Sequence, residues 1–244
     1  MLKLVRSFLG ALTFYTIIPL PVNWQLDFSK IARWLPLIGL IIGGFLAVID
    51  LILQYLEMPN LTRSSLIVAL WLGITGGLHL DGVMDTADGL GVIDSRRRLD
   101  VMRDSVTGAF GVMCGALVLL LKTAALSDLT YSRGLALMTV AACGRWGQLV
   151  AIAFYPYLRE TGKGMFPKQG VKPFQDTIIS LLLLLIITGI TDLSATKLLL
   201  ISLAVSIIIG YWFYRKLGGF TGDVYGAVVE WSEAIALCLI TLLC

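Results

Sequence analysis

An all-α protein that crosses a lipid bilayer about seven times is the architecture this sequence predicts. Three observations predict it. Hydrophobic residues make up 57% of the chain and charged residues 14%, with a mean hydropathy of +0.87, whereas a soluble domain carries roughly a quarter charged residues. Apolar stretches of about 20 residues, enough to cross a ~30 Å hydrocarbon core, recur along the chain. Basic residues are segregated into alternate connections between those stretches. No low-complexity segment or flexible linker interrupts the pattern, so residues 1–244 read as a single integral membrane domain.

The elements follow in order. Residues 4–20 are apolar but are cut by Lys3 and Arg6 and closed by Pro19 and Pro21. The roughly 14 uncharged residues that remain suit an interfacial or re-entrant segment better than a span. A cleaved leader is disfavoured, because no small-x-small site follows in Ile17-Ile18-Pro19-Leu20-Pro21. Seven candidate spans follow at 34–56, 64–80, 107–126, 134–155, 177–191, 196–214 and 224–243, the fifth of them short and its ends not fixed by the sequence.

The loops at 21–33, 81–106, 156–176 and 215–223 hold Lys30, Arg33, Arg96, Arg97, Arg98, Arg103, Arg159, Lys163, Lys168, Lys172, Arg215 and Lys216; the other connections hold only Arg63, Arg133 and Lys197. Positive loops stay inside, which predicts a bacterial cytoplasmic (inner) membrane protein with its polar motifs on the cytoplasmic side and its C-terminus outside. The net charge of +3 thus serves topology, and nucleic acid is not an expected partner. The natural surroundings are the lipid bilayer, in which copies could associate as an oligomer. Cys114, Cys143, Cys238 and Cys244 stand singly in apolar segments and read as small hydrophobes.

One polar stretch stands out. Gly76-Gly77-Leu78-His79-Leu80-Asp81-Gly82-Val83-Met84-Asp85-Thr86-Ala87-Asp88-Gly89 follows directly on an apolar segment. On a helix, Asp81, Asp85 and Asp88 fall within about 60° of arc. Carboxylates that close repel unless a cation sits among them, and Mg²⁺ is the hard, oxygen-seeking choice that also bridges to substrate phosphates. The plain alternative is a solvated turn after a membrane helix. His79, the sole histidine, points about 160° away from Asp81 on a continuous helix, although Gly76 and Gly77 could break that helix. It reads either as a structural hydrogen-bonding group or as a general base.

Other polar positions are less specific. Arg103-Asp104-Ser105 ahead of Thr107 reads as the capped start of the third span, whose free N–H groups suit an anion. In Tyr155-Pro156-Tyr157-Leu158-Arg159-Glu160-Thr161-Gly162-Lys163-Gly164, the basic Arg159 and Lys163 could clamp a diphosphate or could serve topology alone.

A second acidic stretch runs from Gly218 through Asp223, Glu230 and Glu233 into the last span. Glu233 would lie about 15 Å along the helix from Asp223. Such an intramembrane carboxylate needs a partner, and Arg145 is its natural one, whether for function or only for structure. Gly-Gly-x-x-x-Asp opens both acidic stretches, at Gly76 and at Gly218. The match suggests two carboxylate arms meeting at one rim, an arrangement that fits phosphoryl transfer with one or two metals.

In this order the motifs resemble the cobalamin synthases (adenosylcobinamide-GDP ribazoletransferases). The resemblance covers nearly the whole chain: Thr13-Phe14-Tyr15-Thr16-Ile17-Ile18-Pro19-Leu20-Pro21, Leu35-Pro36-Leu37-Ile38-Gly39, His79-Leu80-Asp81-Gly82 with Asp85-Thr86-Ala87-Asp88-Gly89, Arg103-Asp104-Ser105 with Gly108-Ala109-Phe110-Gly111, Pro156-Tyr157-Leu158-Arg159, and Thr221-Gly222-Asp223 with Gly226, Ala227, Glu230 and Glu233. The aspartate stretch is the specific part, and the N-terminal proline motif is weaker alone.

The resemblance implies a Mg²⁺-dependent transferase that joins adenosylcobinamide-GDP to α-ribazole or its 5′-phosphate and releases GMP, late in cobalamin biosynthesis. On that reading Asp81, Asp85 and Asp88 hold Mg²⁺ on the diphosphate, and Asp223 and Glu230 complete the metal shell or take the acceptor's proton. Arg159 and Lys163 steady phosphate oxygens, while Arg103, Asp104, Arg145 and Glu233 belong to the substrate site. Two rivals are weaker. A CDP-alcohol phosphotransferase begins Asp-Gly-x-x-Ala-Arg, which Asp81-Gly82 followed by Asp85-Thr86 meets only by half. A cation-coupled transporter needs polar residues continuing to the outer face, and here they crowd the inner half.

Overall fold

The computed structural model describes residues 2–130, 132–159, 164–189 and 193–243. Within them the chain is helical: α1 Leu2–Tyr15, α2 Leu35–Tyr55, α3 Asn60–Ile74, α4 Leu78–Gly91, α5 Arg98–Val101, α6 Ala109–Asp128, α7 Arg133–Phe154, α8 Met165–Lys168, α9 Pro173–Gly189, α10 Leu193–Leu217 and α11 Gly222–Ile240. The all-α expectation holds. Five helices, α2, α6, α7, α10 and α11, are long and apolar enough to cross a membrane, or six spans if the bent pair α3–α4 is one. That is fewer than the seven expected. In α9 the apolar part, Pro173–Ile187, is too short to qualify by length, and residues 190–191 of the predicted span at 177–191 lie outside the described residues.

The predicted span at 64–80 is where the reading fails most usefully. Its helix stops at Ile74, and Gly76 and Gly77 take left-handed φ of 63° and 71°, which only glycine adopts without strain. The pair turns the chain by 88° into α4. Apolar composition continues smoothly through the break, so hydropathy alone reports one span. The three aspartates therefore ride on a separate helix that packs against α11 and α6.

At the centre stands α7, buried at every position from Thr139 to Leu149. Ala141, Ala142, Cys143, Gly144 and Gly147 give it a small-residue surface, the composition that lets membrane helices approach closely. It packs against α2, α10 and α11. At the end of the bundle where α7 begins, Asp50 of α2 accepts from Arg133 Nη2 at 2.7 Å and Nε at 3.0 Å, and Arg63 Nε stands 3.5 Å away. Two of the three basic residues in the sparsely charged connections thereby share one buried carboxylate.

The N-terminal segment forms the 14-residue α1 and folds back on residues 27–34: Ser7 Oγ donates to Ser29 O at 3.0 Å and accepts from Trp34 Nε1 at 3.2 Å. One face buries Ser7, Gly10, Ala11 and Tyr15, while Leu2, Leu4 and Val5 are exposed. Beyond it, Ile17 N donates to Ile74 O at 2.9 Å. That bond ties the end of α1 to the α3–α4 break and brings Tyr15 toward the aspartate helix.

Candidate functional site

The crossing of α4 and α11 builds the site. Gly82 lies on the backbone of Asp223, where an added Cβ would fall 2.4 Å from its carbonyl oxygen, and Gly226 lies on the backbone of His79, with 2.9 Å to its Cα. These reciprocal close approaches bring the two acidic stretches together, as their shared Gly-Gly-x-x-x-Asp pattern suggests. Asp81 and Asp223 consequently line one cavity of about 610 Å³, with His79, Arg159, Tyr157 and Tyr225.

Arg159 is aimed by a backbone clamp. Leu158 N donates to Phe220 O at 2.8 Å and Phe220 N to Pro156 O at 2.9 Å, an isolated bridge between the two loops. From there Arg159 Nη2 donates to Asp223 Oδ2 at 2.8 Å and to Met102 O at 3.1 Å. Thr221 caps α11 by accepting from Val224 N, and its hydroxyl donates to the same Asp223 Oδ2 at 3.1 Å. Behind the clamp, Tyr214, Tyr155, Phe220, Tyr225 and Tyr157 stack in series at centroid separations of 4.7 to 6.1 Å. Burial pushes the Tyr157 phenol above the usual tyrosine range, so it stays a neutral hydrogen-bonding group.

The three aspartates of α4 meet different fates. Asp88 is spent on structure, since its Oδ2 accepts from Gly108 N at 2.6 Å and its Oδ1 from Gly111 N at 2.8 Å. It thereby satisfies free donors at the start of α6. The cap expected from Asp104 and Ser105 is thus supplied from another helix. The helix starts at Ala109, two residues later than the expected Thr107, and its N-cap is Gly108, whose lack of a side chain leaves the capping to Asp88. Arg103 and Asp104 lie on an exposed connection, Asp104 accepting only from Val106 N. By contrast, Asp81 is exposed to the cavity, Asp85 is half-buried, and neither carboxylate has a hydrogen bond or ion pair among the described residues. Asp85 lies in the field of Asp81, Asp223 and Asp88, opposed by Arg159.

Glu230, Glu233 and Arg145 are gathered elsewhere. Arg145 Nη1 donates to Glu233 Oε1 at 2.6 Å, the pairing expected from depth alone. Arg145 is not the whole of it, because Lys122 of α6 reaches Glu230 at 2.6 Å and Glu233 at 2.5 Å and lies over the Trp71 ring at 4.3 Å. All four charged groups are at least 95% buried. Glu230 is therefore paired with Lys122 and stands apart from the aspartates with which it is expected to complete the metal shell or take the acceptor's proton. Its spacing to Asp223 puts it about 10 Å further along the helix. Lys122 itself escaped the sequence reading, although a lysine inside an apolar span signals a buried counter-ion. Lys163 lies outside the described residues.

The residues fit a hard cation in one specific way. Among the described residues no three His, Cys, Asp or Glu side chains enclose an ion. What remains free is a pair, Asp81 and Asp85, all-oxygen and uncompensated. Mg²⁺ is commonly held by one or two carboxylates together with substrate phosphates, and this donor set matches that pattern. The fit does not require Asp88 or Glu230.

The family model for cobalamin-5-phosphate synthase matches residues 7–241. A protein of Trichormus variabilis named adenosylcobinamide-GDP ribazoletransferase is 52% identical over 247 residues, covering 98% of each chain. Proteins of the same name from Synechocystis and Thermosynechococcus vestitus are 47% and 46% identical, over 93% and 99% of this chain and 91% and 98% of their own. No solved structure matches.

Proposed function

This chain belongs to the cobalamin-5-phosphate synthase family, and we propose from that premise that it joins adenosylcobinamide-GDP to α-ribazole or α-ribazole 5′-phosphate, giving adenosylcobalamin or its 5′-phosphate and GMP. The observation that carries the reading is the cavity where Asp81, Asp223 and Arg159 converge, built from motifs on which the resemblance rests. Its chemistry is phosphoryl transfer. Transport has less support, because the carboxylates deep in the bundle are saturated by Lys122 and Arg145.

In the proposed reaction, a ribose hydroxyl attacks the phosphorus that bears the cobinamide. A new P–O bond forms, the bridging P–O bond to the guanosine phosphate breaks, and GMP departs in line. Asp81 and Asp85 would hold Mg²⁺, which when bound neutralises charge on the diphosphate. Arg159 offers Nε, which is buried and unpaired, to a non-bridging phosphate oxygen. Asp223 keeps Oδ2 on Arg159 and Thr221, leaving Oδ1 to receive the proton of the attacking hydroxyl.

The cavity shares its end of the bundle with the basic loops around Arg98, Arg159 and Lys172, opposite Asp50, Arg63 and Arg133. We place that end in the cytoplasm of a bacterial cell, with the helices in the cytoplasmic membrane. The test is GMP release by purified protein in detergent, given adenosylcobinamide-GDP and α-ribazole with and without Mg²⁺. Release that requires both substrates and the metal is expected. Release without α-ribazole, or none from well-folded protein, would overturn the reading.

A further inference from the structure

Buried polar atoms without partners are unevenly distributed in this molecule. Among the described residues, Tyr15 Oη, both ring nitrogens of His79, Gln148 Oε1 and Tyr225 Oη find no hydrogen-bond partner, and all four residues line the 610 Å³ cavity that holds Asp81, Asp223 and Arg159. They are 2%, 1%, 5% and 2% exposed. They come from four different helices, α1, α4, α7 and α11, so no single local distortion accounts for them. Leaving one such atom buried and unpaired costs about 1–3 kcal/mol, and five of them, on four residues at one cavity, mark a place made for a polar ligand.

Their chemistry narrows the ligand. Two phenols can each donate and accept, a neutral imidazole offers one donor and one acceptor, and an amide oxygen accepts. None of the four brings a formal charge of its own. The charged residues of the same cavity lie at its wetter part: the side chains of Arg159 and Asp223 are 15% and 21% exposed, and Asp81 is exposed. The cavity thus runs from a charged rim into a neutral, polar interior. Phe14, Phe28, Leu78 and the stacked pair Tyr157–Tyr225 supply flat, apolar walls. Its volume is in the range that encloses a drug-sized molecule, ample for a nucleoside and too small for a corrin ring with its side chains.

We infer that this cavity seats the acceptor nucleoside, with Tyr15, His79, Gln148 and Tyr225 reading its base and ribose and presenting the reactive hydroxyl to the charged rim. The inference rests on the proposed reaction and deepens it. Of the two nucleosides in that reaction, the acceptor is the better match. Its dimethylbenzimidazole is flat, largely apolar and carries one free ring nitrogen, which a phenol or imidazole donor satisfies. Guanine would bring an N–H-rich edge that seeks a carboxylate, and the buried part of the cavity has none among its lining residues.

The test separates KM from kcat in Tyr15→Phe, Gln148→Leu and Tyr225→Phe, using the full-length protein in detergent with each substrate varied in turn. Loss of one hydrogen bond should raise KM for α-ribazole about tenfold. KM for adenosylcobinamide-GDP should stay within about twofold, since those contacts are untouched. The 5′-phosphate shares the base and ribose, so its KM should move in parallel. A rise confined to adenosylcobinamide-GDP would overturn the assignment in favour of guanosine, and no change in either KM would make the unpaired atoms merely structural. Equilibrium dialysis of α-ribazole alone gives an independent arm. Binding that weakens in Gln148→Leu supports the pocket even if turnover is absent and the proposed reaction fails, whereas binding indifferent to all three changes refutes it. The two Tyr→Phe variants keep shape and ring, which guards the result against misfolding.

Discussion

Two groups of carboxylates sit on α11 and its neighbours, and they are treated in opposite ways. In the interior, Glu230 and Glu233 are buried and saturated by Lys122 and Arg145. Near the cavity, Asp81 and Asp85 have no partner at all among the described residues, and Asp223 keeps one oxygen free. Burying a charge in a membrane bundle is costly unless it is paired, so the interior group shows what this fold does when a charge serves structure. The rim departs from that habit, and the proposed chemistry uses the departure.

Removing a charge from the saturated group should do the most damage. Lys122→Met strands the buried Glu230 and takes one of the two cations from Glu233, and the expected loss is about 3–5 kcal/mol of stability, seen as a lower thermal midpoint and a smaller yield of monodisperse protein. Adding Glu230→Gln, which leaves the Arg145–Glu233 pair intact, should restore most of it; a Lys122→Met variant as stable as the parent would break the comparison.

Next comes Asp81→Asn, which should lower GMP release by about 10²–10³-fold with the fold unchanged. Arg159→Gln should cost about 10²-fold in turnover, yet its partly exposed pair with Asp223 should contribute no more than about 1 kcal/mol to stability. Stability and turnover assays on the same preparations check both. Smallest is Asp88→Ala, which removes the borrowed cap of α6. A loss of about 1–2 kcal/mol is expected, with turnover per folded molecule nearly unchanged. If Asp88→Ala instead behaves like Asp81→Asn, Asp88 belongs to the reacting group.

Much of this was legible in the sequence. The apolar segments that became α2, α6, α7, α10 and α11 are long and uniform, so their lengths carry the topology directly. The aspartates at spacings of four and three, and the repeated Gly-Gly-x-x-x-Asp, point to two arms that do meet. What escaped has physical causes. The turn at Gly76–Gly77 depends on backbone dihedrals that hydropathy does not register. Asp88 looks like its neighbours until α6 arrives to take both its oxygens, a tertiary contact with no local trace. Tyr15 and Gln148 reach the cavity because α1 folds back and α7 is central, and nothing in their immediate neighbours shows this. Lys122 was visible, as an intramembrane lysine, and was the signal most open to a closer reading.

The central claim is that the rim carboxylates, which keep free oxygens, carry the reaction and the paired interior ones do not. The most direct measurement is GMP release per folded molecule, in the presence of both substrates, for Lys122→Met/Glu230→Gln beside Asp81→Asn. The double variant should stay within about threefold of the parent, a difference below 1 kcal/mol, while Asp81→Asn falls by about 10²–10³-fold. Equal losses in both, or near-normal release by Asp81→Asn, would contradict the account.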